Sequence, residues 1–283
     1  MAIRFVVFGD TKGNDRGINR KVLINILERI KKLNVEPDFL VTLGDMVAGS
    51  YKPSNLKEQF MSFKRIIKFQ INPPVILPVI GNHEVNNDPF DDSFEKIFQE
   101  VLINFKQHGT LEKYNSTVYY MDTEECRFII LNSYHFGEIK KITNRQLTWL
   151  EKVSMVDKKF KVLFVHCPPY PTGAHIGTSL DTYEEDRDKL WKVIDRNKID
   201  IVFAGHEHNY SRRVVEGAFS RTIQIIAGGG GEKLKDTFVS KAGVIVAPKA
   251  KYHFVVVDII SNSITVKVIS IKGKIIDEFK IMK

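Results

Sequence analysis

Five apolar runs of strand length recur along the chain, and each stops at a residue able to bind a metal ion or shape a turn. Phe5-Val6-Val7-Phe8 ends in Gly9-Asp10, and Phe39-Leu40-Val41-Thr42-Leu43 ends in Gly44-Asp45. Val75 to Ile80 ends in Gly81-Asn82-His83-Glu84, and Val162-Leu163-Phe164-Val165 ends in His166. Ile201-Val202-Phe203-Ala204 ends in Gly205-His206-Glu207-His208. Continuous apolar runs of this length suit strands buried on both faces. In open α/β sheets, ligands gather outside the carboxyl ends of the strands. Singly, Asp and Asn read as helix caps and Gly as a turn residue. Together, in one register relative to their strands, they predict a shared metal site, since neutral imidazole and carboxylate are good ligands for first-row metals.

The intervening segments complete an α/β pattern. Ile18, Val22, Leu23, Ile26, Leu27, Ile30 and Leu33 recur at helical spacing after the loop Thr11 to Asp15, and Pro37 precedes the second strand. That unit predicts parallel pairing through a right-handed crossover. A second helix is expected over Asn55 to Phe69, with Phe60, Phe63, Ile66 and Ile67 in the core and Pro73-Pro74 as its stop. Pro89 to Gly109 suggests a helix with loops over the site. Thr117 to Met121 and Arg127 to Leu131 predict an antiparallel pair turning at Thr123-Glu124-Glu125. Thr143-x-x-Gln146 has the spacing of a capping box before Leu147, Leu150 and Val153. A further helix is predicted from about Glu184 to Arg196.

Beyond Arg221 helix signals vanish. Thr222 to Ala227 reads as a strand ending in Gly228 to Gly231, a run that lets backbone approach the site closely or, more cheaply, makes a tight bend. Tyr252 to Ile259, Ser263 to Ile271 and Lys274 to Ile281 alternate apolar and polar residues, as in an antiparallel meander with turns at Ser261-Asn262 and Lys272-Gly273. The fold class predicted is mixed α/β, α/β in front and mostly β behind: two packed mixed β-sheets flanked by helices. Ligand segments spanning Asp10 to His208 argue for a single domain over residues 1–283.

The net charge of +8 favours anionic partners. The lysines are scattered (Lys31-Lys32, Lys140-Lys141, Lys158-Lys159, Lys249, Lys251) and not interleaved with aromatics, so a nucleic-acid groove is not indicated. Cys126 and Cys167 lack metal or redox spacing, which fits a reducing compartment. The N-terminus enters the first strand without a leader pattern, and no apolar run approaches the ~20 residues of a bilayer span. A cytoplasmic protein away from membranes is the expectation.

The ordered set Gly9-Asp10, Gly44-Asp45, Gly81-Asn82-His83-Glu84, His166 and Gly205-His206-Glu207-His208 resembles the calcineurin-like metallophosphoesterase superfamily. His166-Cys167-Pro168-Pro169-Tyr170, His175 and the stretch Gly205 to Arg213 are similar to its purple acid phosphatase branch. The resemblance implies a two-metal site (Mn, Fe, Zn, Ni or Co, divalent or trivalent) with Asp45 bridging. Asn82, His166 and His206 would complete one shell, and Asp10 and His208 would hold the other metal. Two such cations acidify water and clamp the attacking and leaving oxygens of an in-line displacement. The implied reaction is attack of metal-bound hydroxide on a phosphate ester, monoesters favoured. A phosphodiesterase or nuclease with the same site, or a non-catalytic metal- or phosphate-binding protein, is the alternative. His83 would face the substrate as a proton or hydrogen-bond donor, worth about 10²–10⁴ in rate. Glu84 is read as orienting His83 or as a surface salt-bridge residue. His175 is read as a second such donor or an exposed loop histidine, and His108, His135 and His253 as structural.

Two departures stand out. The superfamily's Asp-x-His is here Asp10-Thr11-Lys12, and the purple branch's tyrosine is Ala48, so no tyrosinate colour is expected. Lys12 cannot ligate while protonated. It would contact phosphate beside a weakly bound second metal, replace that metal electrostatically, or point to solvent. Asn14 or water is the remaining source of an oxygen. The presence of His208 favours two metals. Loops 49–60, 86–116 and 168–182 are expected to form the substrate rim.

Overall fold

The first apolar run forms β1 (Ile3–Phe8), and its burial explains its composition. Phe5 and Val7 enter one core cluster, Val6 and Phe8 the other, and all four are fully buried. The computed structural model describes residues 2–71, 75–86 and 90–283. After β1 come β2 (Lys12–Asp15), α1 (Arg20–Lys31), β3 (Phe39–Thr42), α2 (Pro53–Gln70), β4 (Ile76–Pro78) and α3 (Ser93–Leu102). β5 (Gly109–Thr110), β6 (Tyr119–Asp122) and β7 (Cys126–Ile130) follow, then the small hairpin β8 (Tyr134–His135) and β9 (Glu138–Ile139), and α4 (Asn144–Ser154). Next are β10 (Phe160–Val165), α5 (Glu184–Arg196) and β11 (Ile201–Ala204). The chain closes with β12 (Tyr210–Glu216), β13 (Arg221–Ala227), β14 (Val244–Lys249), β15 (His253–Ile260), β16 (Ser263–Ser270) and β17 (Ile275–Met282).

Two mixed sheets pack against each other with helices outside, as expected. One has the order β17-β16-β15-β1-β3-β4, with β1, β3 and β4 parallel. The other runs β14-β12-β13-β11-β10-β7-β6-β5, with β7, β10, β11 and β13 parallel. Phenylalanines fill the space between them. Phe5 stacks on Phe39 at 5.1 Å, and both meet Phe128 edge-on, at 5.2 and 5.0 Å. Such pairs add about 0.5–1.5 kcal/mol each beyond area burial. On the outer faces, Val22, Leu23, Ile26, Leu27 and Ile30 of α1 share a cluster with Val6 and Leu40. Asn19 caps that helix, its side-chain oxygen accepting from Val22 N–H at 3.3 Å.

Several expectations need correction. The C-terminal antiparallel meander forms as expected, and its place in the sheets is what the sequence left open. β15 pairs antiparallel with the outer edge of β1 (Val7 opposite Val255), so β15–β17 extend the first sheet and β12–β14 the second. β12 lacks an apolar alternation, and its polar residues find a half-buried partner on β17: Tyr210 Oη and Arg212 Nε both donate to Asp277, at 2.6 and 2.7 Å. Thr143 does open α4, but no capping box forms. Its hydroxyl donates to Glu138 at 2.9 Å. The Gln146 amide instead pairs with both backbone groups of Asn132, at 3.1 and 2.7 Å, because that buried strand end needs partners more than an exposed helix start does. Residues 12–15 form a short strand, not a loop, and α2 occupies most of the expected rim 49–60. α3 packs on α2, with Phe98 edge-on to Phe60 at 5.9 Å. Pro73, Pro74 and Pro89 lie outside the described residues. Among the described residues no helix is long and apolar enough to cross a membrane.

This topology places the five motifs side by side. β1, β3 and β4 run parallel in one sheet and β10 and β11 in the other, so their carboxyl ends open onto one rim. Across the sheets, His166 Nδ1 meets Leu43 O at 2.6 Å, and His206 N–H donates to both Asp10 carboxylate oxygens at 3.1 and 3.0 Å.

Candidate metal centre

Asp10, Asp45 and His206 have positive φ (60°, 50° and 68°), a conformation that costs an L-residue about 1–2 kcal/mol. The strain turns their side chains away from the strand axes toward the common rim, and buried hydrogen bonds hold it. Gly44 precedes Asp45 at φ 84°, and a Cβ there would lie 2.7 Å from His166 Nδ1. Gly205 and Gly228 each approach Asp10 so closely that a Cβ would meet its Oδ2 at 2.7 Å. None of Gly228 to Gly231 has positive φ, and a Cβ on Gly228, Gly229 or Gly230 would run into Glu207 O, His253 or Gly9 O, so close packing of backbone accounts for the run, with Gly228 alone of them against Asp10.

Asp45, Asn82, His166 and His206 converge. His166 Nδ1–H donates to Leu43 O, which leaves the lone pair on Nε2. That nitrogen lies 3.1 Å from Asn82 Oδ1, 3.2 Å from His206 Nδ1 and 3.4 Å from Asp45 Oδ1. These are electron-pair donors crowded around one point, the arrangement a cation needs. Burial keeps both imidazoles below the ordinary histidine pKa, hence neutral. His206 Nε2 is buried and has no hydrogen-bond partner among the described residues. The ligand atoms of Asp45, His166 and His206 all fall within 4.8 Å of one another, so these residues fit one metal ion.

The second pole differs. His208 Nδ1–H donates to Lys233 O at 3.1 Å, and its Nε2 faces Asp10 Oδ1 at 3.7 Å. Lys12, 6% exposed, reaches from Asp45 to His208, with Nζ 2.6 Å from Asp45 Oδ2 and 3.5 Å from His208 Nε2. Burial opposes its charge, but Asp45 and Asp10 beside it hold its pKa above the ordinary lysine value. Burial also works against the Asp45 charge. His166, Lys12 and His83 outweigh it and hold that carboxyl well below the usual range. Asp10 is pushed well above that range by burial and by the Asp45 charge. Burial, then Lys12, push His208 down to about 3. Asn14 is exposed on β2, apart from these buried groups.

His83 lies at the mouth, its side chain 34% exposed. Its Nδ1–H donates to Ala48 O at 2.8 Å, so the position of the missing tyrosine serves as a backbone acceptor and Nε2 faces the site, 3.9 Å from Asp45 Oδ2. His175 is no free loop residue. Its ring centre is 4.3 Å from that of His206, and Nε2 is 3.2 Å from Lys235 Nζ. Burial, then Lys235, push its pKa down to about 4. His135 pairs with Glu95 at 2.9 Å, His108 accepts from Asp122 N–H, and His253 is bonded to Lys251 O, all away from the centre.

Glu84 neither orients His83 nor lies on the surface. It is fully buried and accepts from Gly81 and Asp45 N–H on one oxygen (2.8 and 2.7 Å) and from Met46 and Val47 N–H on the other (2.8 and 3.4 Å). Glu207, buried between the two histidines of its motif, does the same for the next loop. It accepts from Thr172 N–H at 2.7 Å, Gly173 N–H at 2.8 Å and His175 N–H at 3.3 Å. Sequence reasoning missed Glu207 and Lys235. A carboxylate inside a metal-binding turn signals the first, and no local pattern marks the second.

The calcineurin-like phosphoesterase family model matches residues 3–210. Rat serine/threonine-protein phosphatase CPPED1 is 24% identical over 271 residues, 89% of this chain and 78% of that protein. Purple acid phosphatase 21 of Arabidopsis thaliana is 28% identical over 218 residues, 74% of this chain but 45% of that protein. The fold is similar to a yellow lupin purple acid phosphatase (TM-score 0.78, 18% identity, 100% of this chain and 54% of that one). It also resembles a dimetal phosphatase of Danio rerio (TM-score 0.69, 14% identity, 99% and 98%). With all five sequence motifs meeting at one rim and the family model spanning them, this chain belongs to the calcineurin-like phosphoesterase family, whose members are metal-dependent phosphoester hydrolases.

Proposed function

We propose that the chain hydrolyses phosphate monoesters at this rim, with Asp45, Asn82, His166 and His206 holding a metal ion and the whole chain acting as one domain. The observation that carries it is the crowding of three electron-pair donors within 3.1–3.4 Å of a fourth, His166 Nε2. A metal held there supplies a Lewis acid that acidifies water and neutralises phosphoryl charge. The chain's own residues do the rest. Glu84 and Leu43 O fix the ligands Asp45 and His166 before substrate arrives. His83 Nε2 faces the centre at its mouth, placed when the ring is protonated to donate to a phosphoryl or leaving-group oxygen, and His175, whose Nε2 accepts from the Lys235 ammonium, packs against His206 and carries that charge to the site. Lys12 and Lys235 add positive charge on either side, which suits the dianion of a monoester better than the single charge of a diester. Phosphatases among the relatives support the same preference.

The test compares 4-nitrophenyl phosphate with bis(4-nitrophenyl) phosphate across Mn, Fe, Zn, Ni and Co, for wild type and Asp45→Asn. Expected are faster turnover of the monoester and loss of it in the variant, with an unchanged circular dichroism spectrum. Undiminished hydrolysis by Asp45→Asn refutes the site. Preference for the diester moves the chain to the phosphodiesterase reading, and no turnover with any metal to a binding protein.

A further inference from the structure

The two poles of Asp45 are not equivalent. Around Oδ1 lie neutral ligand atoms with no cationic side chain among them, whereas Oδ2 already carries a salt bridge to the Lys12 ammonium at 2.6 Å. The other groups that a second metal would use surround that same ammonium. His208 Nε2 is 3.5 Å from Lys12 Nζ, and Asp10 Oδ1 is 3.7 Å from His208 Nε2.

We infer that Lys12 takes the place of the second cation, so that this chain binds a single metal and Lys12 Nζ does the work of the other at the phosphate. The inference rests on the metal site proposed at Asp45, Asn82, His166 and His206, and concerns the pole opposite to it. A transition metal needs a carboxylate oxygen at about 2.0–2.2 Å. The ammonium stands in the approach to that oxygen and offers three N–H donors but no lone pair. Two cations sharing one oxygen at such separations repel strongly in a buried site.

Lys12 is also not free to leave. Its backbone N–H donates to Asp45 O at 3.1 Å, the neighbouring Thr11 hydroxyl donates to Met46 O at 2.8 Å, and β2 starts with Lys12 buried. The donor geometry agrees. Among the described residues, the group with metal-holding spacing is Asp45, His166 and His206, and it excludes Asp10 and His208. His208 then has a role without a metal: its Nε2 lone pair and the Asp45 carboxylate together orient the ammonium. Asp10 holds the His206 turn by accepting its backbone N–H on both carboxylate oxygens. In the phosphate complex, Lys12 keeps Asp45 as acceptor and directs a remaining N–H at a phosphoryl oxygen.

Metal content decides this without reference to activity. Chelator-treated wild-type protein is equilibrated with excess Mn²⁺ or Zn²⁺, separated from free metal and measured by elemental analysis, with anomalous diffraction to locate the ion. Expected is one metal per chain, bound between Asn82, His166 and His206 and on Asp45 Oδ1. Lys12→Ala should rise to two, the new ion on Asp10, Asp45 and His208, while Lys12→Arg stays at one. Lys12→Gln is measured in parallel so that instability of the smaller variant does not leave the question open. Two metals in wild type, or one in both Lys12→Ala and Lys12→Gln, overturn the inference and leave the proposed hydrolase standing. No metal in wild type removes the underlying site as well.

Discussion

Replacing Glu84 by Gln tests whether the metal-binding turn is built in advance. The carboxylate receives four backbone N–H groups, two on each oxygen, from Gly81, Asp45, Met46 and Val47. Burial, then the Asp45 charge, push its pKa up to about 8. Yet every group facing it is a donor, a pattern only the carboxylate form satisfies at both oxygens. An amide keeps one acceptor and turns an NH₂ toward two of those N–H groups. Hydrogen bonds to charged groups contribute about 1.5–3 kcal/mol each, so losing two costs about 3–6 kcal/mol. At about 2 °C per kcal/mol for a chain of this size, Tm should fall by about 6–12 °C. Asp45 stands at φ 50° on the turn that these bonds hold, so metal affinity should also drop, by about 10–100-fold. Thermal unfolding of the chelated protein and a Mn²⁺ titration measure the two effects. A variant with the Tm and affinity of wild type would show that Asp45 is held by something else.

Glu207→Gln should separate catalysis from metal binding: with the Thr172–His175 backbone released, kcat/KM falls by up to about 10²-fold while metal content stays whole, and metal loss at unchanged kcat/KM refutes this. His253 is fully buried and burial pushes its pKa down to about 4, from 6.5 when unfolded, so the unfolded chain binds the extra proton. Its contribution to stability is therefore whole above pH 6.5 and lost as pH falls toward 4, roughly 3 kcal/mol in all. Urea unfolding of His253→Asn should show a shallower acid limb than wild type, and parallel limbs would count against it.

The strands that reach the site were legible because their signals are local. An apolar run buried on both faces, closed by Gly and a polar residue, needs no knowledge of its neighbours, and β1, β3, β4, β10 and β11 all appeared where such runs end. The helices α1, α2, α4 and α5 followed from spacing in the same way. Asp45, Asn82, His166 and His206 were identifiable by residue type and by position at strand ends.

What tertiary structure decided was everything that depends on a partner remote in the chain. The pairing of β15 with β1 spans most of the sequence, and only the free edge of β1 selects it. Gln146 leaves the capping box for Asn132 because burial makes an unsatisfied strand end costly. Glu84 and Glu207 look like surface charges in a string of letters. They become the supports of two loops because the backbone donors that they face come together only on folding. Whether Lys12 points to solvent or to Asp45 was equally open in the sequence, since both are within reach of a flexible side chain. The closing of β2 against the Asp45 turn removes the first choice, and the charge of a buried carboxylate makes the second.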